Sequence, residues 1–159
     1  MGFVPLDPDT DDNGTLDDDE LSEPFFDDFE KGTLGHSWVV NNLADVLETA
    51  ANTESYGARF RNTSSMELRI STIGHSAVNI TYDRRGKNLE TGEMLTIDCS
   101  VDGFTWCVLE TVTDGDWASQ TFDLTANATE QAGFRLRFSL NGDLNTDQAY
   151  IDNVSVTFD

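Results

Sequence analysis

From residue 25 to its end the chain holds no proline, and its apolar residues return at every second position in one short run after another. A period of two is the signature of a strand with one face on a core, and proline breaks the ladder such strands need. Residues 133–140 put Phe134, Leu136, Phe138 and Leu140 on one side and Arg135, Arg137 and Ser139 on the other. Residues 76–83 group Val78, Ile80 and Tyr82, and residues 94–100 group Leu95, Ile97 and Cys99. The last run, 149–158, groups Tyr150, Val154, Val156 and Phe158 with Asp152. Further strands are expected at 25–30, 36–41, 56–62, 66–71, 104–112 and 117–125, while 42–50 reads as a helical turn or a strand. Turn dipeptides fall between the runs: Arg85-Gly86, Thr91-Gly92, Asp102-Gly103, Asp114-Gly115 and Asn141-Gly142. About ten short strands at regular spacing predict an all-β, antiparallel sandwich over 25–159.

Residues 1–24 differ. They carry all three prolines (Pro5, Pro8, Pro24), many acids and little apolar periodicity. We therefore divide the chain into an acidic segment, 1–24, and a sandwich, 25–159. The first segment contains Asp9-Thr10-Asp11-Asp12-Asn13-Gly14-Thr15-Leu16-Asp17-Asp18-Asp19-Glu20. Asp9, Asp11 and Asn13 offer side-chain oxygens at loop positions 1, 3 and 5, and Gly14 permits the sharp turn. Thr15 gives a carbonyl, Asp17 acts through water and Glu20 chelates with both oxygens, the donor set that Ca2+ prefers. The competing reading is a solvated acidic linker. Pro5, Pro8 and Pro24 deny the flanking helices of a full EF-hand. The stretch instead resembles the linker loops of dockerins and thrombospondin type 3 repeats, which implies a calcium-stiffened connector between domains.

Thirty Asp and Glu face nine Lys and Arg, a formal net charge of −21. Such a surface repels phosphate backbones and anionic lipids, so neither nucleic acid nor membrane is expected as a partner. No apolar run nears the ~20 residues of a membrane span. Cys99 and Cys107 flank a short turn that suits a hairpin disulfide, with two small core thiols as the alternative. Five Asn-x-Ser/Thr sites occur, at Asn13, Asn62, Asn79, Asn127 and Asn153. A secreted or cell-surface setting, within a longer precursor, is the expectation.

Three stretches carry a second resemblance: Asp28-Phe29-Glu30-Lys31-Gly32 with Trp38, Ser100-Val101-Asp102-Gly103-Phe104-Thr105-Trp106, and Tyr150-Ile151-Asp152-Asn153-Val154-Ser155-Val156. In this order they resemble jelly-roll modules of the carbohydrate-binding and MAM-like kind. The resemblance implies a jelly-roll sandwich whose first and last strands share a structural calcium held by Glu30 and Asp152, with Asp28. Independently, a carboxylate at Asp152 among apolar neighbours needs a partner or a metal; a loop-capping role or an arginine partner would also serve.

With two histidines 39 residues apart and no nucleophile or phosphate-loop motif, nothing points to an enzyme. Acid pairs abound, but a sandwich of this size leaves little chain for a deep cleft. Sugar binding needs exposed rings with polar groups beside them. Trp117 and Phe104 are the better candidates, followed by Trp38 and Tyr56. Tyr82 is expected in the core, and Trp106 over a sheet edge. Arg59 with Arg61, and Arg135 with Arg137, form either cross-strand ion pairs or a basic stripe that reads uronic or sulfated sugars. The expected function is a non-catalytic, calcium-binding extracellular module that holds a parent protein on a polysaccharide or other glycan. The alternative is a structural or adhesive module, stiffened by calcium, that contacts neighbouring domains.

Overall fold

A computed structural model describes residues 23–113 and 115–159. It shows nine strands: β1 (Phe25–Asp27), β2 (Trp38–Leu47), β3 (Gly57–Ile70), β4 (Val78–Lys87), β5 (Leu95–Ser100), β6 (Cys107–Val112), β7 (Ala118–Asp123), β8 (Phe134–Asn141) and β9 (Gln148–Phe158). A 3-10 turn, Glu48–Ala50, and one helical turn, α1 (Thr125–Ala128), are the remaining regular elements. No helix among the described residues is long and apolar enough to cross a membrane.

All strand pairs are antiparallel, in the order β6-β5-β8-β3-β9-β4-β7, with β1 on β9 and β2 on β3. This ribbon folds over into two layers. Phe138 of β8 meets Tyr82 of β4 edge-on at 5.3 Å between ring centres, although two strands separate them in the ladder. One layer is β7-β4-β9 with β1 and the first half of β3; the other is β6-β5-β8 with the second half of β3. β3 serves both because residues 58–61 pair with β9 and residues 63–70 with β8. Between the halves Asn62 has a φ of 55°, which Asn tolerates better than most residues. The partner strand turns at Asn42, φ 63°, where the β2–β3 register shifts. The polar run Asn62-Thr63-Ser64-Ser65, which reads as a break between two strands, is therefore the crossing of one long strand.

The core gathers the alternating sides of every long strand: Phe60, Met66, Leu68, Ile80, Tyr82, Ile97, Phe134, Leu136 and Phe138 are all sealed from water. The expected alternation of β4, β5 and β8 is present. Two expectations are corrected. Arg85-Gly86 is not a turn: both lie within β4, and a Cβ on Gly86 would sit 2.2 Å from the Thr113 carbonyl oxygen. In β9 the inner residues are Ala149 and Ile151, then Val154 and Val156. Asn153, at φ 50°, is the extra residue of a bulge opposite β4, and it inverts the alternation. Tyr150 and Asp152 consequently share the outer side, not the side of Val154 and Val156.

Candidate functional site

The outer side of the β6-β5-β8-β3 layer is polar and cross-braced. Arg137 lies between Glu67 of β3 and Asp98 of β5 in the ladder. Its guanidinium donates to both Asp98 oxygens, at 2.9 and 2.5 Å, in the two-pronged geometry suited to arginine and carboxylate. Arg135 and Arg69 both bond Glu67. Trp106, just before β6, lies over Arg137 with the guanidinium carbon 3.6 Å from the ring centre. Its ring stays partly exposed. Beside Arg137 a cleft of about 300 Å3 is lined by Asn41, Thr63, Ser64, Ser65, Ser139 and Leu140.

The turn joining β5 to β6 stands at the rim. Asp102 accepts the backbone N–H groups of Phe104 and Thr105 at 2.8 and 2.7 Å, and the Ser100 hydroxyl donates to it at 3.0 Å. Gly103, at φ 75°, lies against Arg135, where a Cβ would be 2.6 Å from the guanidinium carbon. The turn thereby projects Phe104 into solvent, 91% exposed. The Thr105 and Phe104 N–H groups hold the Asp102 carboxyl down at about 2 from its ordinary 3.8. A lowered carboxylate contributes stability above pH 3.8 that disappears as pH falls toward 2. The stability difference between wild type and Asp102→Asn, followed by urea unfolding, should be constant near neutrality and shrink below about pH 4; a difference that stays flat to pH 2 would contradict this turn geometry.

The other expected ligand rings divide. Trp38 is in the core, 5% exposed, against Phe25, Phe29 and Phe138, and its indole N–H donates to Asp27 at 2.8 Å. Tyr56 is half-buried and its hydroxyl donates to Glu48. Trp117 lies on Tyr150, ring centres 6.2 Å apart, on the outer side of the opposite layer. The arginines do not form one stripe. Arg59 and Arg61 adjoin β9 and bond Asp45, whereas Arg135 and Arg137 adjoin the other half of β3. All four bond a carboxylate of a neighbouring strand, Arg59 and Arg61 with Asp45 of β2, Arg135 with Glu67 of β3 and Arg137 with Asp98 of β5, which is the cross-strand arrangement. Trp106 is the ring that sequence underweighted. Its position next to Asp102-Gly103 was visible, but its stacking on Arg137 depends on a register no local pattern reveals.

The expected calcium loop Asp9, Asp11, Asn13, Thr15, Asp17 and Glu20 lies outside the described residues. At the terminal strands, Glu30 accepts the N–H groups of Ser55 and Tyr56, and Asp28 accepts that of Glu30. Asp152, fully enclosed, accepts N–H groups from Asn52 and Thr53 on one oxygen and from Asn153 on the other. Its ladder partner Asp83 is held by Ser119, Asn52 and Asn153. Burial raises the Asp152 carboxyl above its ordinary range. For Asp83 burial acts the same way, but the three side-chain donors outweigh it and lower the carboxyl. The donors around Asp152 meet the demand that a buried charge be hydrogen-bonded. Glu30 and Asp152 thus both grip the 52–56 loop. A third acidic group, Glu93, Asp143 and Asp147, has oxygens within 4.8 Å of one another. The spacing Asp143-x-Asn145-x-Asp147 was the sequence signal for it.

Cys99 and Cys107 face each other in register as free thiols. Burial, then the neighbouring Cys107, pushes the Cys99 thiol up to about 11. Both line an apolar cleft with Leu109, Leu124 and Phe134.

No protein-family model matches the chain, and no curated protein matches it. Solved structures do. A family 61 carbohydrate-binding module, TmCBM61, seen in complex with β-1,4-galactotriose, aligns at 16% identity over 82% of this chain and 94% of its own, with a TM-score of 0.64. The C-terminal family 22 carbohydrate-binding module of Clostridium thermocellum Xyn10B aligns at 16% identity over 84% and 91%, TM-score 0.63. The K1 cleaved adhesin domain of Lys-gingipain from Porphyromonas gingivalis W83 aligns at 11% identity over 87% and 99%, TM-score 0.63. The fold is therefore the β-sandwich that carbohydrate-binding modules share, a fold that hosts many functions.

Proposed function

We propose that the chain is a non-catalytic carbohydrate-binding module whose ligand lies across the outer side of the β6-β5-β8-β3 layer. The observation that carries this is Trp106, clamped over Arg137 at 3.6 Å beside a cleft lined by Asn41, Thr63, Ser65 and Ser139. A pyranose offers an apolar ring face and a rim of hydroxyls. A held indole with hydroxyl and amide side chains next to it meets both needs. Phe104 supplies a second ring at the rim, and the Arg137–Asp98 pair fixes the platform without conformational adjustment. The likeness to modules solved with galactotriose or named for xylan supports the reading through the fold.

The proposal places the module outside the cell, in a parent protein with neighbouring domains, and includes calcium at Asp9–Glu20, supported by the donor types at those spacings. The adhesive alternative has its own support in the adhesin neighbour. A glycan array screened with the intact protein separates the two. A neutral polysaccharide or its oligosaccharides should bind, and Trp106→Ala should weaken that binding on the order of thirtyfold, from about 2 kcal/mol for truncating an aromatic anchor. An array without binding favours the adhesive module. Binding untouched by Trp106→Ala removes the site.

A further inference from the structure

Four of the chain's nine cations stand together on the outer side of the opposite layer. Arg59 and Arg85 both pair with Tyr150 in the ladder, from either side. Arg61 and Lys87 both pair with Gln148 two residues earlier. The strand spacing puts the Cα atoms of these four residues at the corners of a rectangle of roughly 10 by 7 Å, with Tyr150 and Gln148 on its midline. Trp117 covers Tyr150, which is only 3% exposed, and keeps part of its own surface in solvent. The Lys87 ammonium stands 6.0 Å from the Tyr150 ring centre.

The charge balance of this side is unlike the rest of the molecule. Arg84, Arg135 and Arg137 bond Glu110, Glu67 and Asp98, and Arg69 shares Glu67. Here, among the described residues, Asp45 is the one carboxylate that pairs with any of the four, and it takes both Arg59 and Arg61. Arg59 uses it two-pronged at 2.9 and 2.7 Å, whereas Arg61 has one contact at 3.3 Å and a buried Nε without a partner. Arg85 donates to the Gly115 carbonyl, and Lys87 has no ion pair among the described residues. Asp83 and Asp152, two residues along β4 and β9 on the same side, are already held by the 52–53 loop, Asn153 and Ser119, so Arg85, Lys87 and the unpartnered Nε of Arg61 are the groups an incoming anion would meet.

We infer that this side is a second binding site, separate from the Trp106 side, for an acidic glycan whose carboxylate or sulfate groups meet Arg61, Arg85 and Lys87 while a sugar ring rests on Trp117. Arginine's fork suits both oxyanions. The net charge of −21 does not cancel the attraction, because at about 0.1 M salt the Debye length is ~10 Å and the nearby cations dominate. The inference does not depend on what the Trp106 side binds.

Affinity electrophoresis and calorimetry with the intact protein test it, using polygalacturonate for carboxylate, a carrageenan for sulfate, xylan as neutral control and a polynucleotide as phosphate control. One or both acidic glycans should bind at about 0.1 M salt and weaken as salt rises further; the better of the two names the oxyanion. Arg61→Ala and Lys87→Ala should each lower affinity about tenfold, the loss of one charge-assisted contact. Trp117→Ala should lower it as well, and Lys31→Ala, which removes the same charge elsewhere, should not. Melting curves close to wild type show that these variants fold. No binding to either acidic glycan, an equal effect of Lys31→Ala, insensitivity to Trp117→Ala, or stronger binding of the polynucleotide would each overturn the site.

Discussion

Phe138→Ala should lower the unfolding free energy by about 3–5 kcal/mol, the usual cost of removing a sealed phenyl ring from a packed core. Phe138 is fully buried on β8 and touches rings from both layers: Trp38 of β2 at 6.1 Å and Tyr82 of β4 at 5.3 Å. Its loss opens a cavity where the layers meet, which neither sheet can fill without breaking ladder bonds. That loss is comparable to the whole stability margin of many domains, about 5–15 kcal/mol, so Phe138→Leu is the companion variant, at about 1 kcal/mol. Urea unfolding followed by circular dichroism reads both. A loss below about 1 kcal/mol for Phe138→Ala would mean that the three rings do not converge.

The second large effect is expected at Asp152→Ala, about 2–4 kcal/mol from three N–H groups that lose a charged acceptor. The loss should be local, with faster amide exchange at Asn52 and Thr53 while the sealed strands stay protected. Unchanged exchange there would show that the loop is held by something else. The same variant, with Glu30→Gln, locates calcium. Ligand binding to the folded state raises the melting temperature. A calcium-dependent rise that vanishes with these substitutions belongs to the terminal strands, one that survives them but is lost with Glu20→Gln belongs to the Asp9–Glu20 loop, and identical curves in calcium and chelator deny the ion at both.

What the sequence made legible follows how local each signal is. The face of β8 was plain because Phe134, Leu136, Phe138 and Leu140 alternate without interruption. β9 carried an equally apolar sequence, yet its sides were misassigned because the Asn153 bulge adds a residue that alternation cannot see. The Asn62–Ser65 run looked like a loop because polar residues mark most chain breaks, whereas here they mark a strand passing between layers. Gly86 read as a turn because its actual reason, the approach of Thr113, is 27 residues away in the chain. The surfaces obey the same rule. Phe104 next to Asp102-Gly103 is placed at a turn by its sequence, but the meeting of Trp106 with Arg137, and the placing of Arg59 and Arg61 across β9 from Arg85 and Lys87, depend on strand order. Paired arginines on one strand are legible in a sequence; the residues that strand order sets beside them are not.

The placement of β1 against β9 bears on how such a unit behaves under load. Phe25 sits opposite Val156 in an antiparallel pair, so a polypeptide entering before β1 and leaving after β9 does so at one pole. Tension applied through both ends would open that three-residue ladder one rung at a time, as a zipper, rather than shearing all rungs together. β1 would be the first element to yield, while the long β2–β3 hairpin that stitches the layers together would remain intact.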